Sequence, residues 1–243
     1  MKKSGGGILD YIVHNPKEIL PQTDKYDLVI VAAQPGRDDI LRLCKEYGVD
    51  ADDSYVMLPI EVRRQFLQDW ASLYDELDGA VAEVGVFQGD FAKHINKFFP
   101  NKKLYLFDTF EGFDERDVAI EKEKGFSVAT SAELNMTSVE FVMQKMTYPQ
   151  NIIIKKGFFP QTAQDVEEKF CFVNLDVDLY QPTLVGLKWL SNKMVKNGVI
   201  LIHDYFSANY RGVKQAVHEF MAKHATLKLL PVGDGISILI SGF

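Results

Sequence analysis

The chain has 243 residues, of which 47% are hydrophobic and 25% are charged, as in an ordinary globular protein. Its formal net charge of −7 argues against a nucleic-acid partner, because binding to a phosphate backbone depends on clustered Lys and Arg. No apolar run approaches the ~20 residues that span a bilayer, and Cys44 and Cys171 predict free thiols in a reducing compartment, so we expect a cytoplasmic protein.

The first 54 residues predict a small N-terminal extension to a larger domain over residues 55–243. Asp27–Ala33 has the apolar pattern of a short strand, and a helical run over Asp38–Tyr47 follows the Pro35-Gly36 turn signal. One strand and one helix are too small to stand alone. We interpret the extension as a lid, a contact in a homodimer or a remnant of an upstream domain.

Residues 59–77 predict an amphipathic helix with Phe66, Trp70, Leu73 and Leu77 on one face, and alternating strands and helices follow it. The predicted strands are Ala80–Val86, Lys103–Phe107, Asn151–Lys155, Phe170–Leu175, Gly198–Ile202, Leu227–Pro231 and Ile236–Ile240. The predicted helices are Asp90–Phe99, Ser131–Met146, Gln161–Lys169, Pro182–Val195 and Gly212–His224. The mixed-charge stretch Asp114–Lys124 predicts a solvated loop or helix face.

This alternation predicts an α/β fold of the Rossmann-like kind, with helices on both faces of a mostly parallel, seven-stranded sheet. The last two strands are joined by the Gly233-Asp234-Gly235 turn, so we expect them to form an antiparallel hairpin. In such folds ligands bind at the carboxyl ends of the strands.

A glycine-containing turn follows the first strand of the domain, over Glu83-Val84-Gly85-Val86-Phe87-Gln88-Gly89. Gly85 lets the backbone turn sharply and approach a ligand closely because it has no Cβ, and Gly89 does the same where the next helix begins. A dinucleotide site would have glycine where Phe87 stands, which argues against an NAD-dependent oxidoreductase. The bulkier turn favours an uncharged contact, such as the methionine part of S-adenosylmethionine (SAM). A glycine turn that binds no ligand is the alternative.

A carboxylate ends the second strand, in Phe107-Asp108-Thr109-Phe110, about 20 residues after Gly85. Asp108 can accept both hydroxyl hydrogens of a ribose there; the alternative is an Asp that caps a loop. Phe110 or Phe113 could stack on adenine, and Gly157-Phe158 follows the third strand, where an amide or a ring could meet the same base. The two motifs together indicate a nucleoside ligand.

Two further motifs leave the fourth and fifth strands: Asn174-Leu175-Asp176-Val177-Asp178-Leu179-Tyr180 and Ile202-His203-Asp204-Tyr205. Asp176, His203 and Asp204 would open onto the same crevice and suit a divalent cation, with Mg²⁺ favoured by the oxygen ligands. A bound cation could orient two neighbouring hydroxyls and lower the pKa of the one attacked. His203 could instead act as a general base, and the two carboxylates could merely cap helices.

These motifs, taken in order, closely resemble those of the macrocin O-methyltransferase family. The matching segments are Val84–Asp90, Phe107–Phe113, Lys156–Phe159 with Thr162, Leu175–Tyr180 with Thr183, His203–Tyr205, and Gly212-Val213 with Ala216-Val217 and Glu219-Phe220, within residues 55–225. Members of that family are SAM-dependent, Mg²⁺-assisted class I enzymes that methylate sugar hydroxyls, notably on macrolide and aminocoumarin antibiotics.

The resemblance implies a SAM-dependent O-methyltransferase that acts on a sugar or glycoside hydroxyl. It implies that Asp108 holds the ribose, that Gly85 and its neighbours hold the methionine end, and that Asp176 and Asp204 hold the metal. Family members commonly have Asp-Asp-Tyr where this chain has His203-Asp204-Tyr205, so His203 is either a ligand or a base. The alternative function is a nucleoside- or sugar-nucleotide-binding module without methyl transfer. We expect the acceptor to contact the loops 114–130 and 207–211.

Overall fold

The computed structural model describes residues 7–8, 11–12, 37–48 and 59–243, and the chain divides into two compact units, 1–58 and 59–243. The described part of the first unit contains a two-residue antiparallel pair, Gly7–Ile8 with Tyr11–Ile12, and helix α1, Arg37–Glu46. Helix α1 confirms the helix predicted over Asp38–Tyr47. The strand predicted at Asp27–Ala33 lies outside the described residues.

The second unit contains one sheet of seven strands with helices between them. The strands are β1 Ala80–Val84, β2 Leu104–Asp108, β3 Ile152–Lys156, β4 Phe170–Leu175, β5 Met194–Ile202, β6 Lys228–Pro231 and β7 Ile238–Ser241. The α-helices are α2 Pro59–Leu73, α3 Ala92–Phe98, α4 Glu115–Lys124, α5 Val139–Met143, α6 Tyr180–Leu190 and α7 Arg211–Met221. Among the described residues, no helix is long and apolar enough to cross a membrane.

The strand order is β3-β2-β1-β4-β5-β7-β6, with β7 antiparallel to both of its neighbours and every other pair parallel. This confirms the predicted seven-stranded sheet and its terminal hairpin. Val84, at the end of β1, lies opposite Phe107 on one side and Leu175 on the other. The register therefore brings the residues that follow β1, β2 and β4 to the same edge of the sheet.

Buried apolar residues on both faces of the sheet explain why these segments form strands. All five residues of β1 and all six of β4 are buried, as expected for parallel strands covered on both faces. One face packs on α6 and α7 through residues such as Leu187 and Phe220, and the other packs on α2 and α3 through residues such as Trp70 and Ile95. The core is thus a pair of helix-covered layers on either side of one sheet.

Several sequence-based predictions about helices were wrong in extent or in burial. The helix predicted over Ser131–Met146 is reduced to α5, because Leu134 has a left-handed backbone (φ 58°) and Ser138 caps the helix with its side chain. Gln161–Lys169 forms only a short 3-10 turn, Gln161–Ala163. Leu73, predicted on the buried face of its helix, is 74% exposed at the end of α2.

A buried acid in α4 makes the stability of the protein dependent on pH. Glu121 has no exposed surface, and neither of its carboxyl oxygens has a hydrogen-bond partner among the described residues. Burial raises the pKa of Glu121 from 4.5 to about 7. Because the unfolded chain releases this proton near pH 4.5, the folded state binds more protons than the unfolded state between pH 4.5 and 7. Stability is therefore lost as pH rises through that window.

We expect Glu121→Gln to lose less stability than the wild type between pH 5 and pH 8, by on the order of 2 kcal/mol. The free energy of unfolding from urea titrations at the two pH values measures this difference. Glu123→Gln is the matched control, because Glu123 is exposed on the same helix. Equal pH dependence of the Glu121 variant and the wild type would show that Glu121 ionises normally in the folded state.

Candidate active site

The turn after β1 depends on glycine for a contact within the protein. Gly85 has φ 86°, and a Cβ at this position would lie 1.8 Å from the carbonyl oxygen of Asp176. The close approach expected of Gly85 is therefore made to the backbone after β4. Phe87 also has a left-handed backbone (φ 47°), and its carbonyl accepts a hydrogen bond from the Thr137 hydroxyl.

The Asp108 carboxylate shapes the same turn. Its Oδ2 accepts hydrogen bonds from the amides of Val86 (2.6 Å) and Phe87 (2.9 Å), and its Oδ1 accepts from the amide of Phe110 (2.6 Å). The Thr109 hydroxyl lies 3.5 Å from Oδ1 but donates its one hydrogen to the Gly112 carbonyl at 2.6 Å. A carboxylate oxygen has two lone-pair sites, so Oδ1 retains acceptor capacity for a ligand hydroxyl. Asp108 thus acts as a loop cap and still faces the cavity described next.

A cavity of about 310 Å³ lies at the carboxyl ends of the central strands. It is lined by most of the predicted site residues: Glu83, Gly85, Val86, Phe87, Gln88, Asp108, Thr109, Gly157, Phe158, Asp176 and His203. Three predicted residues are not among its walls. Gly89 packs against Val142, Phe110 is 3% exposed in the core, and Asp204 is buried and does not line the cavity. Of the two aromatic candidates after β2, Phe113 is the one that lines the cavity.

At one end of the cavity, Asp176, His203 and Asp204 form a compact cluster. The Nδ1 atom of His203 lies 3.0 Å from Oδ1 of Asp176 and 2.6 Å from Oδ2 of Asp204. The His203 amide donates a hydrogen bond to the Leu175 carbonyl, which holds the first residue after β5 against the end of β4. The imidazole is therefore fixed between two carboxylates.

The charges in this cluster determine which groups hold protons. Burial lowers the pKa of His203, but the carboxylates of Asp176 and Asp204 outweigh burial and raise it from 6.5 to about 10. Burial raises the pKa of Asp176, but the charges of His203 and Arg63 outweigh it and hold that pKa below its usual range. At neutral pH the cluster therefore contains an imidazolium beside an ionised Asp176.

Two residues of the site were missed by the sequence-based interpretation. Asp178 lines the cavity with a left-handed backbone (φ 59°), and burial together with the carboxylates of Asp176 and Asp204 raises its pKa well above 3.8. Arg63 of α2 is 4% exposed, lines the cavity and donates to Asp176 at 3.2 Å. The signal for Arg63 was a charged residue on the buried face of α2, together with Leu67 and Trp70.

The donor set of the cluster fits a divalent cation. Asp176, His203 and Asp204 each offer one ligand atom, and these atoms lie within 4.8 Å of one another. Two carboxylate oxygens and one imidazole nitrogen are common ligands of such ions. Without a cation, the His203 imidazolium supplies the positive charge between the two carboxylates. A cation bound there would replace that charge and displace the His203 proton.

Comparison with known proteins decides which family has this combination of fold and site. The family model of the macrocin-O-methyltransferases (TylF) matches residues 60–236. The chain belongs to this family. It is therefore a methyltransferase, with SAM as its methyl donor. This result argues against the alternative of a binding module without methyl transfer. Comparison with curated protein sequences gave no match.

Solved structures show the same fold at low sequence identity. The O-methyltransferase NovP is 19% identical, with a TM-score of 0.62 over 74% of this chain and 79% of that chain. CalS11, a calicheamicin methyltransferase, is 16% identical, with a TM-score of 0.57 over 99% of each chain. These likenesses confirm the class I methyltransferase fold of this chain.

Proposed function

We propose that this methyltransferase transfers the methyl group of SAM to a hydroxyl of a sugar or glycoside, assisted by a divalent cation held by Asp176, His203 and Asp204. One observation carries the proposal. A single cavity is lined both by the Gly85 turn with Asp108 and by Asp176, Asp178 and His203. The match to the macrocin-O-methyltransferase family, whose members methylate sugar hydroxyls, supports a sugar acceptor.

The donor half of the cavity is assigned to SAM. Asp108 would bind the ribose through its remaining acceptor capacity, the Gly85–Gly89 turn would hold the methionine end, and Phe158 would face the adenine. Bound SAM supplies an activated methyl group on a sulfonium, so the protein's main tasks are to align the acceptor hydroxyl and to remove its proton.

The acceptor half is assigned to the acidic end of the cavity. A cation bound there, with Mg²⁺ as our expectation, would orient the acceptor hydroxyl and lower its pKa. His203 is a poor general base in this arrangement because its imidazole already holds a proton at neutral pH. We assign it to cation binding instead. Asp178 lines the cavity beside this cluster, and a cation bound there would favour its ionised, proton-accepting form, so we assign the base to Asp178.

The donor assignment is tested by calorimetry. We expect the wild type to bind SAM and Asp108→Ala to bind it at least about tenfold more weakly, because the variant loses a charge-assisted hydrogen bond and loosens the turn. Asp69→Ala is the control, since Asp69 is exposed on α2. Labelled SAM with a panel of sugars then tests the acceptor class. No binding of SAM, or unchanged affinity in Asp108→Ala, would contradict the assignment.

A further inference from the structure

Arg63 brings a buried positive charge to the cavity with part of its hydrogen-bonding capacity unused. Its Nη2 donates to Oδ1 of Asn174 (2.9 Å) and to Oδ2 of Asp176 (3.2 Å). Its Nε is buried and has no acceptor among the described residues. The guanidinium lies over the Phe91 ring, 4.4 Å from its centre. The side chain is 4% exposed, although it lines the cavity.

Glu83, at the end of β1, has a buried acceptor atom without a donor in the described part of the chain. Its Oε1 accepts a hydrogen bond from Nδ2 of Asn174 (2.7 Å), whereas Oε2 is buried with no donor among the described residues. Glu83 is 2% exposed and lines the same cavity as Arg63. Asn174 binds both residues through its two amide atoms and so holds the guanidinium and the carboxyl on either side of itself.

A buried donor and a buried acceptor without partners each cost free energy, and native proteins leave few of them unpaired. A ligand that carries an anionic and a cationic group on neighbouring atoms would provide an acceptor for the Arg63 donor and a donor for the Glu83 acceptor. The α-carboxylate and α-ammonium of an amino acid are such a pair. The glycine turn, Glu83 and Arg63 line one cavity. The methionine moiety of SAM carries such a pair of groups and would reach both side chains there.

We propose that Arg63 binds the α-carboxylate of SAM and Glu83 binds its α-ammonium, with Asn174 as the positioning residue that holds the two apart. The proposal rests on the proposed function, since it requires SAM to occupy this cavity. Charge-assisted hydrogen bonds of this kind are roughly twice as strong as neutral ones. Each bond should therefore change the affinity for SAM measurably.

The test uses four ligands: S-adenosylhomocysteine, its decarboxylated analogue, its deaminated analogue, and 5′-methylthioadenosine, which lacks both groups. Dissociation constants are measured by calorimetry on the full chain. We expect Arg63→Gln to weaken S-adenosylhomocysteine about tenfold to a hundredfold and to leave the decarboxylated analogue within twofold of wild type. Glu83→Gln should weaken S-adenosylhomocysteine and spare the deaminated analogue. Neither variant should affect 5′-methylthioadenosine.

Arg64→Gln is the matched control, because Arg64 is the next residue of α2 and pairs with Glu61 at 2.9 Å. Arg63→Lys keeps the charge and should recover part of the lost affinity, which also separates a binding defect from a folding defect. Equal weakening of all four ligands by Arg63→Gln, or unchanged affinity for S-adenosylhomocysteine, would overturn this inference alone. A wild-type chain that binds none of the four would overturn the proposed function as well.

Discussion

Asp204→Asn is expected to reduce methyl transfer by about a hundredfold or more while leaving the affinity for SAM within twofold of wild type. The loss follows from the removal of one of three cation ligands, since even residues outside the ligand set cost 10–100-fold in metal affinity or activity. SAM binding should survive because Asp204 is not part of the cavity wall. Asn is the appropriate replacement because Asp204 has φ 57°, a conformation that Asn tolerates better than Ala.

The cation itself is tested in the same assay. Activity of the wild type should be lost in EDTA and restored by excess Mg²⁺ or Mn²⁺, whereas SAM calorimetry should be unaffected by EDTA. Asp165→Asn is the control for the change in net charge, because Asp165 is exposed and pairs only with Lys155 among the described residues. Full activity in EDTA would refute cation assistance, and full activity of Asp204→Asn would remove Asp204 from the site.

Gly85→Ala is expected to abolish stable folding. The new Cβ would lie 1.8 Å from the Asp176 carbonyl oxygen, so the loops after β1 and β4 would have to separate. The positive φ of Gly85 adds about 1–2 kcal/mol for any residue with a Cβ. A total above about 4 kcal/mol is a large part of the 5–15 kcal/mol by which domains are stable. Circular dichroism and urea titration measure the loss.

Gly235→Ala separates the two contributions. Gly235 also has a positive φ, 78°, but apart from its chain neighbours no atom of the described residues lies within 4 Å of the position its Cβ would take. This variant should therefore be destabilised by only about 1–2 kcal/mol. If both variants lost the same amount of stability, the close contact between Gly85 and Asp176 would not be a determinant of the fold.

The strands could be predicted because their burial is visible in the sequence. Phe170–Leu175 is a continuous apolar run except for Asn174, and the structure gives β4 the same bounds. The sequence of Asp114–Lys124 does not decide between a loop and a helix face, because its alternating charges hide any apolar face, and the structure forms helix α4 there. Its ends were nevertheless readable, with Asp114 as N-cap and Gly125 in the left-handed conformation after the last turn.

The predicted site residues followed strand ends, and the sheet register gathers most of them in one cavity. Arg63 could not be placed in the same way, because a helix residue over a hundred positions before Asp176 meets it only through tertiary packing. Asp178 was visible in its motif, but its role depends on the carboxylates of Asp176 and Asp204, whose proximity appears only in the folded chain.

The strand order has a consequence for how this protein meets its neighbours. Strand β6 forms one edge of the sheet, and an exposed strand edge is a template onto which another chain can add a strand. Here the edge is only four residues long, begins with the exposed Lys228 and ends with Pro231, which has no amide hydrogen to donate. This edge is therefore protected against aggregation through strand addition, and a homodimer would be expected to form through another surface.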